Sequence, residues 1–226
     1  MVCMTDNAFL DTNVLIAFVF FLNSLHGKSK DVFNSYLDFF WSESVKDEFD
    51  FKYHEKKKNL FAFLNLMNKY FESPNKEFYN YGDLLNFVFR NFDEEAIKDA
   101  KNSIDQFWDM YFGIESQISS RNLKKAINLC KNDLKINSHN NKAYLINILK
   151  LIAIRTKNYP VIDSKLKSEG VHYADRMIIL DGHDFACNSF KPVDFVTFDV
   201  DCYNGAKNVG TLCFSSIKGK DDFKSS

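Results

Sequence analysis

Four acidic side chains in this 226-residue sequence occupy positions where a carboxylate could hold a metal ion. Asp11 and Asp199 each follow a short apolar run, in FLDTNVLI and DFVTFDVD, so each is expected where a buried strand ends. Glu48, in SESVKDEF, and Asp175, in HYADRMIIL, lie on segments of helical character. Gathered in one place, four carboxylates repel each other unless a divalent cation lies among them. The pattern therefore predicts an acidic metal site, a nuclease-like signature.

Short polar residues flank these carboxylates. Asn13 and Thr197 are expected to hydrogen-bond to the acids or to a substrate phosphate, because each places a small polar group beside a predicted ligand. Asp201 fits two roles, a further metal ligand or a solvated turn residue. Asp47 remains the alternative to Glu48 as the second acid.

On these motifs the chain resembles the PIN-domain family of metal-dependent ribonucleases. The resemblance covers roughly residues 6–54 and 170–217, with four motifs in the family's order: a hydrophobic-LDTN-hydrophobic strand end, a Ser-x3-Glu helix, a D-x-x-I/L helix and a hydrophobic-T-x-D strand end. It implies a three-layer α/β/α sandwich with a mostly parallel central sheet, an acidic pocket at the carboxyl ends of the strands, and hydrolysis of RNA with Mg²⁺ or Mn²⁺. The residues expected to be catalytic and metal-binding are Asp11, Glu48, Asp175 and Asp199, with Asp201 as an added ligand.

Two other functions fit parts of the same pattern. The segment DVDCYNG, at 199–205, is similar to the nucleophile motif of haloacid-dehalogenase-type phosphatases. That motif normally opens its fold, whereas only 25 residues follow Asp201 here. The other alternative is a noncatalytic RNA-binding or scaffold protein that retains the PIN fold, which the loss of one acid would favour.

Charge is unevenly distributed, although the net charge is only −1. Residues 119–167 hold eleven Lys or Arg against two acids, a balance of +9. Because basic side chains bind a phosphate backbone, Lys124, Lys125 and Lys131 are expected to contact RNA. The alternative is that they only solvate a helix face. The expected partner is RNA, single-stranded or structured, while an antitoxin or other protein partner and a homodimer stay open.

The elements that must position these residues follow from apolar periodicity. Strands are predicted at Asn7–Leu10 and Phe39–Trp41. A helix is predicted at Val14–Leu25, ended by Gly27. Ser44 is predicted to cap a long helix that carries Glu48 and breaks at Ser73–Pro74.

The stretch at about 55–168 is expected to be an insertion within a single domain over 1–226. Glu48 and Asp175 are 127 residues apart, far more than in a compact PIN domain. The insertion is expected to be all-helical, with a last helix at Ala143–Ile154 after a loop near Asn137–Asn141.

The remaining features bear on the cellular compartment. The five cysteines have no C-x-x-C spacing, which argues against a disulfide framework or a zinc site and favours a reduced cytoplasm. The apolar run Val14–Leu25 is too short to span a bilayer and follows acids rather than a basic segment, so neither a membrane span nor a secretory signal is expected. The polar tail 218–226 is expected to be flexible.

Overall fold

The computed structural model of this chain describes residues 6–72 and 76–224, so the predicted helix break at Ser73–Pro74 lies outside the described residues. The strands are β1 (Asn7–Leu10), β2 (Asp38–Trp41), β3 (Phe78–Tyr79), β4 (Ile118–Ser119), β5 (Leu149–Leu151), β6 (Val193–Val196) and β7 (Ser216–Lys218). The helices are α1 (Thr12–Val19), α2 (His26–Ser35), α3 (Glu43–Tyr70), α4 (Tyr81–Asn91), α5 (Glu94–Tyr111), α6 (Ser120–Ile148), α7 (Pro160–Ser168), α8 (Tyr173–Asn188) and α9 (Val200–Val209), with a 3₁₀ turn at Lys220–Asp222.

Five strands form one parallel sheet in the order β5-β2-β1-β6-β7. In the centre, Phe9 of β1 lies opposite Phe40 of β2 and Phe195 of β6. The central strands β1 and β6 are buried at every residue, as expected of a parallel sheet covered on both faces. Among the helices, α1 packs against α2, α3 and α6, α7 packs against α8 and α9, and α4 packs against α5, while α3 also contacts α8. The fold is therefore α/β, with a parallel sheet flanked by helices, consistent with a three-layer sandwich.

The hydrophobic core is continuous from the sheet into the predicted insertion. Phe9 and Phe195 are fully buried in the sheet, and Phe87 of α4 and Phe107 of α5 are fully buried in the same cluster. α3 also crosses residue 55 without a break, so the insertion begins inside a helix.

The first strand confirms the prediction at Asn7–Leu10, but two helix boundaries were predicted wrongly. α1 ends at Val19, and α2 contains Gly27 in its first turn. Between them, the side chain of Asn23 accepts a hydrogen bond of 2.9 Å from the Leu25 N–H and so stabilises a turn. The apolar run that predicts one helix is thus divided by a local side-chain bond.

The N-cap of α3 is Ser42 and not Ser44. Ser42 Oγ accepts a hydrogen bond of 3.3 Å from the Val45 N–H. Ser44 Oγ instead donates to Oδ2 of Asp181 on α8, at 2.8 Å. Both serines are acceptable caps by type, so the strand end at Trp41 decides between them.

The insertion is not all-helical, because it also contains the β3–β4 pair and β5. α6 runs without a break through the predicted loop at Asn137–Asn141. Asn141 lies there with its Nδ2 3.3 Å from the Phe18 carbonyl at the end of α1. The predicted helix at Ala143–Ile154 is wrong beyond Ile148, because Leu149–Leu151 pairs with β2 at the sheet edge. A short apolar run fits a buried strand and a buried helix equally well, and here the backbone pairing with β2 makes it a strand.

Residues 218–224, the described part of the tail expected to be flexible, contact the rest of the fold. Lys218 belongs to β7, and Phe223 is buried with its ring 6.3 Å from that of Phe198. The Lys224 N–H donates to Oδ2 of Asp31 at 3.0 Å. No helix in the described part of the chain combines the length and the apolar character needed to cross a membrane.

Cys187 and Cys213 are joined by a disulfide, with their Cα atoms 5.2 Å apart. The expectation of no disulfide is therefore wrong for this pair. Cys187 is on the last turn of α8, and Cys213 precedes β7. Only the packing of α8 against the sheet brings them together, so their spacing in the sequence gives no sign of the pair.

Candidate active site

Asp11 directly follows β1, at the carboxyl edge of the sheet, where open α/β sheets bind ligands. Its N–H donates to the Val196 carbonyl of β6, at 3.0 Å. The carboxylate is 1% exposed. Its Oδ2 accepts a hydrogen bond of 2.7 Å from Thr197 Oγ1, and Asn13 Nδ2 lies 3.5 Å from the same oxygen.

Helix capping does not explain this aspartate. Asp11 holds the N-cap position of α1, yet its side chain makes no cap hydrogen bond. Its Oδ1 is buried and has no hydrogen-bond partner among the described residues. A buried, unpartnered carboxylate oxygen costs free energy, so the arrangement calls for a ligand.

The pKa values of two carboxyls report a cluster of negative charge. Burial raises the pKa of Asp11 to about 7, and the charges of Asp175 and Glu48 add to the rise, against the Thr197 hydrogen bond and Lys52. Burial also raises the pKa of Asp175, followed by the charges of Asp199 and Glu48. The structure thus brings together the four acids Asp11, Glu48, Asp175 and Asp199.

α3 presents Glu48, and not Asp47, to this cluster. Glu48 Oε2 accepts a hydrogen bond of 2.6 Å from the hydroxyl of Thr12, the residue after Asp11. Its Oε1 pairs with Lys52 one turn later, at 2.7 Å. Asp47 is exposed. Because adjacent helical residues point about 100° apart, only one of the two can face the sheet edge.

Asp175 and Asp199 enter from two helix N-termini. Asp175 is half-buried in the first turn of α8. Asp199 is the N-cap of α9, where its Oδ1 accepts the Cys202 N–H at 2.8 Å, so it also has a structural role. Asp201 is exposed in the first turn of α9, and within the described residues its side chain makes no hydrogen bond or ion pair.

Three residues at the site were not singled out from the sequence. Thr12 and Lys52 hold the two oxygens of Glu48. The Cys202 thiol is buried, and burial, followed by the charges of Asp11 and Asp175, raises its pKa well above the ordinary value. Of these contacts, only the ion pair between Glu48 and Lys52 could be predicted from the sequence, because the two residues are four apart on one helix.

The carboxylates form a looser group than a closed metal site. In the described part of the chain, no three acidic side chains bring an oxygen each within 4.8 Å of one another. Lys52 supplies positive charge at the edge of the group, because it pairs with Glu48 and lowers the pKa of Asp11 and Asp175. The site can therefore accept a cation, with some closure of the side chains around it.

Comparisons with family models, with curated proteins and with solved structures find no match for this chain.

One cavity reaches Lys52, the partner of Glu48, and a second is lined in part by Asp199. A cleft of about 590 Å³ lies between α1, α3 and α5, and Lys52 forms part of its wall. Other residues of the wall are Ile16, Asn59, Phe63, Phe92 and Ser103. A smaller cavity of about 250 Å³ includes Thr197, Asp199 and Lys220. The cleft has the size and mixed apolar and polar lining of a small-molecule or nucleoside site.

The predicted RNA-binding lysines lie on α6. Lys124 and Lys125 are exposed and line a surface cavity of about 390 Å³ with Arg121, whereas Lys131 is half-buried outside that lining. None of the three lysines pairs with a carboxylate in the residues described. Other cations of the +9 segment are paired with acids from outside it: Lys142 with Asp50, Lys150 with Asp38 and Arg155 with Asp181. In the described part of the chain, the cations of this segment without an acid partner are Arg121, Lys124, Lys125, Lys131 and Lys135 on α6, with Lys157, Lys165 and Lys167 before or on α7.

Proposed function

We propose that this chain is a metal-dependent nuclease acting on RNA, with a PIN-like three-layer fold. The observation that carries the proposal is the state of Asp11. It is buried, it does not cap its helix, one of its oxygens has no partner, and its pKa is raised to about 7 beside three other carboxylates. Such a group lowers the stability of the metal-free fold, which suggests a functional reason for keeping it.

The residues present fit a hard divalent cation. Mg²⁺ and Mn²⁺ prefer carboxylate oxygens. Oδ1 of Asp11 is such an oxygen, and it has no hydrogen-bond partner among the described residues. Asp11, Glu48, Asp175 and Asp199 would hold the ion. When bound, it would lower the pKa of a water molecule and neutralise charge on the scissile phosphate.

The protein's own groups would orient this machinery. Thr197 fixes Oδ2 of Asp11 and leaves Oδ1 to face a cation. Thr12 and Lys52 fix the two oxygens of Glu48. The cleft beside Lys52 would take a nucleoside next to the scissile phosphate, and Lys124 and Lys125 would hold the backbone farther along the strand.

RNA as the substrate rests on the resemblance to PIN domains and on the basic face of α6. Hydrolysis by water would leave a 5′-phosphate and a 3′-hydroxyl. A toxin and an RNA-processing nuclease of the cytoplasm are both compatible with this chemistry, with an antitoxin, another protein or a second copy as partner.

A noncatalytic RNA-binding protein is the alternative. It is favoured by the ion pair between Lys52 and Glu48, and by the spread of the carboxylates, because both would suit a site that no longer binds metal. It predicts binding of RNA without cleavage.

The deciding experiment follows a labelled single-stranded RNA with Mn²⁺, with Mg²⁺ and with EDTA. We expect metal-dependent cleavage that falls by about 100-fold or more in Glu48→Gln. Asp47→Asn is the matched control, since it removes a neighbouring charge on the same helix and should retain activity. Binding of the RNA without cleavage in any metal would support the noncatalytic alternative, and equal loss in both variants would argue against the assigned site.

A further inference from the structure

A second group of metal-ligating side chains lies far from the acids. His183 and Cys187 are near the C-terminal end of α8, whereas Asp175 is in its first turn. At a rise of about 1.5 Å per residue, Cys187 is about 18 Å along the helix from Asp175. Cys213 joins them from the segment before β7. The proposed nuclease chemistry uses none of these three residues.

The three residues are arranged as ligands of one ion. One ligand atom from each lies within 4.8 Å of the other two. His183 and Cys187 are four residues apart, so both project from one face of α8. His183 is 3% exposed, and its ring is nearly perpendicular to that of Tyr159, with the ring centroids 4.5 Å apart. Both cysteines are exposed, so an ion and a reductant can reach them.

We propose that His183, Cys187 and Cys213 bind a zinc-type ion in the reduced protein, and that this state is exclusive of the Cys187–Cys213 disulfide. Thiolate and imidazole ligands favour Zn²⁺ over the hard cations Mg²⁺ and Mn²⁺. The ligand chemistry therefore separates this site from the carboxylate cluster.

The two states are connected by thiol–disulfide exchange. Two equivalents of a low-molecular-mass thiol reduce the Cys187–Cys213 bond, giving two protein thiols and one small-molecule disulfide. Binding of Zn²⁺ then releases the two thiol protons, because the thiolate is the ligand. The reverse path is oxidation of the metal-bound thiolates by a small-molecule disulfide, which releases the ion.

His183 can bind the ion through one ring nitrogen, because a neutral imidazole has one available lone pair. In the disulfide form, Nδ1 of His183 accepts the Cys213 N–H at 3.0 Å, and Nδ1 and Nε2 lie 3.8 Å and 3.7 Å from Cys187 Sγ. Because the imidazole has this single lone pair, an ion at either ring nitrogen displaces the hydrogen bond from the Cys213 N–H. With three protein ligands, the fourth position is open to water or to an external thiol.

Co²⁺ is the spectroscopic probe for the test, used with the full chain reduced by a phosphine. We expect one Co²⁺ per chain with thiolate-to-metal charge-transfer absorption, displaced by one equivalent of Zn²⁺. Cys213→Ser, at an exposed position, should lower the affinity by about 100-fold or more, since even outer partners of a metal site contribute 10–100-fold. His183→Ala should do the same, while His139→Ala, at an exposed histidine of α6, should not.

Three outcomes with the reduced protein would overturn the proposal. The first is a reduced protein without charge-transfer absorption, and the second is an absorption that survives Cys213→Ser. The third is loss of the absorption in Asp11→Asn, which would place the ion at the carboxylates with the Cys202 thiol. Oxidised protein should show no charge-transfer absorption, and its presence there would contradict the exclusive states.

Discussion

The hydroxyl of Thr197 donates a hydrogen bond of 2.7 Å to Oδ2 of Asp11, joining the ends of two neighbouring strands across 186 residues of sequence. The hydroxyl oxygen of Thr197 in turn accepts the Asp199 N–H at 3.1 Å. One side chain therefore links two of the four acids and sets which oxygen of Asp11 is left free.

Thr197→Val should weaken metal binding without removing an acid. The hydrogen bond lowers the pKa of Asp11, so its loss should raise that pKa above about 7 and let protons compete with the cation. We expect about a tenfold loss of Mn²⁺ affinity at pH 6.5 and a smaller loss at pH 8.5, measured from the Mn²⁺-dependent melting temperature. Thr197→Ser keeps the hydroxyl and should behave like the parent. Equal losses at both pH values would contradict this role.

Asp11→Asn should stabilise the metal-free protein at alkaline pH. The pKa of Asp11 is about 7 in the fold, against an ordinary 3.8, so between these values the folded state holds a proton that the unfolded state has lost. The free energy of unfolding of the parent should fall as the pH rises across this window. Above pH 7 the variant should be more stable by about 1–3 kcal/mol, since each pKa unit is worth about 1.4 kcal/mol.

Urea unfolding in EDTA at pH 5 and pH 8 measures this difference. The advantage of Asp11→Asn should be smaller at pH 5. The variant should also lose most of the Mn²⁺ stabilisation that the parent shows. A variant less stable than the parent at pH 8 would contradict the cost assigned to the buried charge.

Neutralising the basic face of α6 should weaken RNA binding and leave the metal site intact. Lys124, Lys125 and Lys131 changed together to Gln remove up to three phosphate contacts, so the dependence of log K on log salt should flatten by about 2–3. The Mn²⁺-dependent melting temperature should not change. The matched control changes three exposed lysines elsewhere, Lys69, Lys98 and Lys101. If both triple variants bind RNA alike, the charge on α6 only solvates a helix.

The Cys187–Cys213 disulfide should stabilise the metal-free protein. It closes a segment of 26 residues, for which the loop-entropy model gives about 3–4 kcal/mol. The double variant Cys187→Ser/Cys213→Ser should lose this free energy of unfolding under oxidising conditions. In excess phosphine with a chelator, the parent and the variant should unfold alike. A difference that persists after reduction would assign the effect to packing.

Gly182→Ala should displace α8, which carries Asp175, from β1. A Cβ at Gly182 would lie 2.6 Å from the Phe9 ring and 2.8 Å from the Phe214 ring. Overpacking of this kind costs about 1–3 kcal/mol of unfolding free energy. Because Asp175 moves with its helix, Mn²⁺ affinity should fall as well. Loss of stability with full metal affinity would show that the strain is absorbed away from the site.

The local pattern of apolar and polar residues in the sequence predicts much of the site. The strand at Asn7–Leu10 and the acids that follow β1 and β6 are readable because a buried parallel strand is apolar at every residue and ends where polar residues begin. The parallel pairing of β1 with β6 places Asp11 and Asp199 at one edge of the sheet, where the carboxyl ends of these strands lie. Glu48 and Asp175, which the sequence places in segments of helical character, also lie on helices in the structure.

Tertiary contacts decided the rest. Leu149–Leu151 is a strand because β2 offers it backbone partners, although its sequence fits a buried helix equally well. Glu48 is chosen over Asp47 by the hydroxyl of Thr12, and Cys187 meets Cys213 only through the packing of α8. Sequence patterns record what each residue prefers among its near neighbours. These choices depend on groups tens to hundreds of residues away, whose positions exist only once the chain has folded.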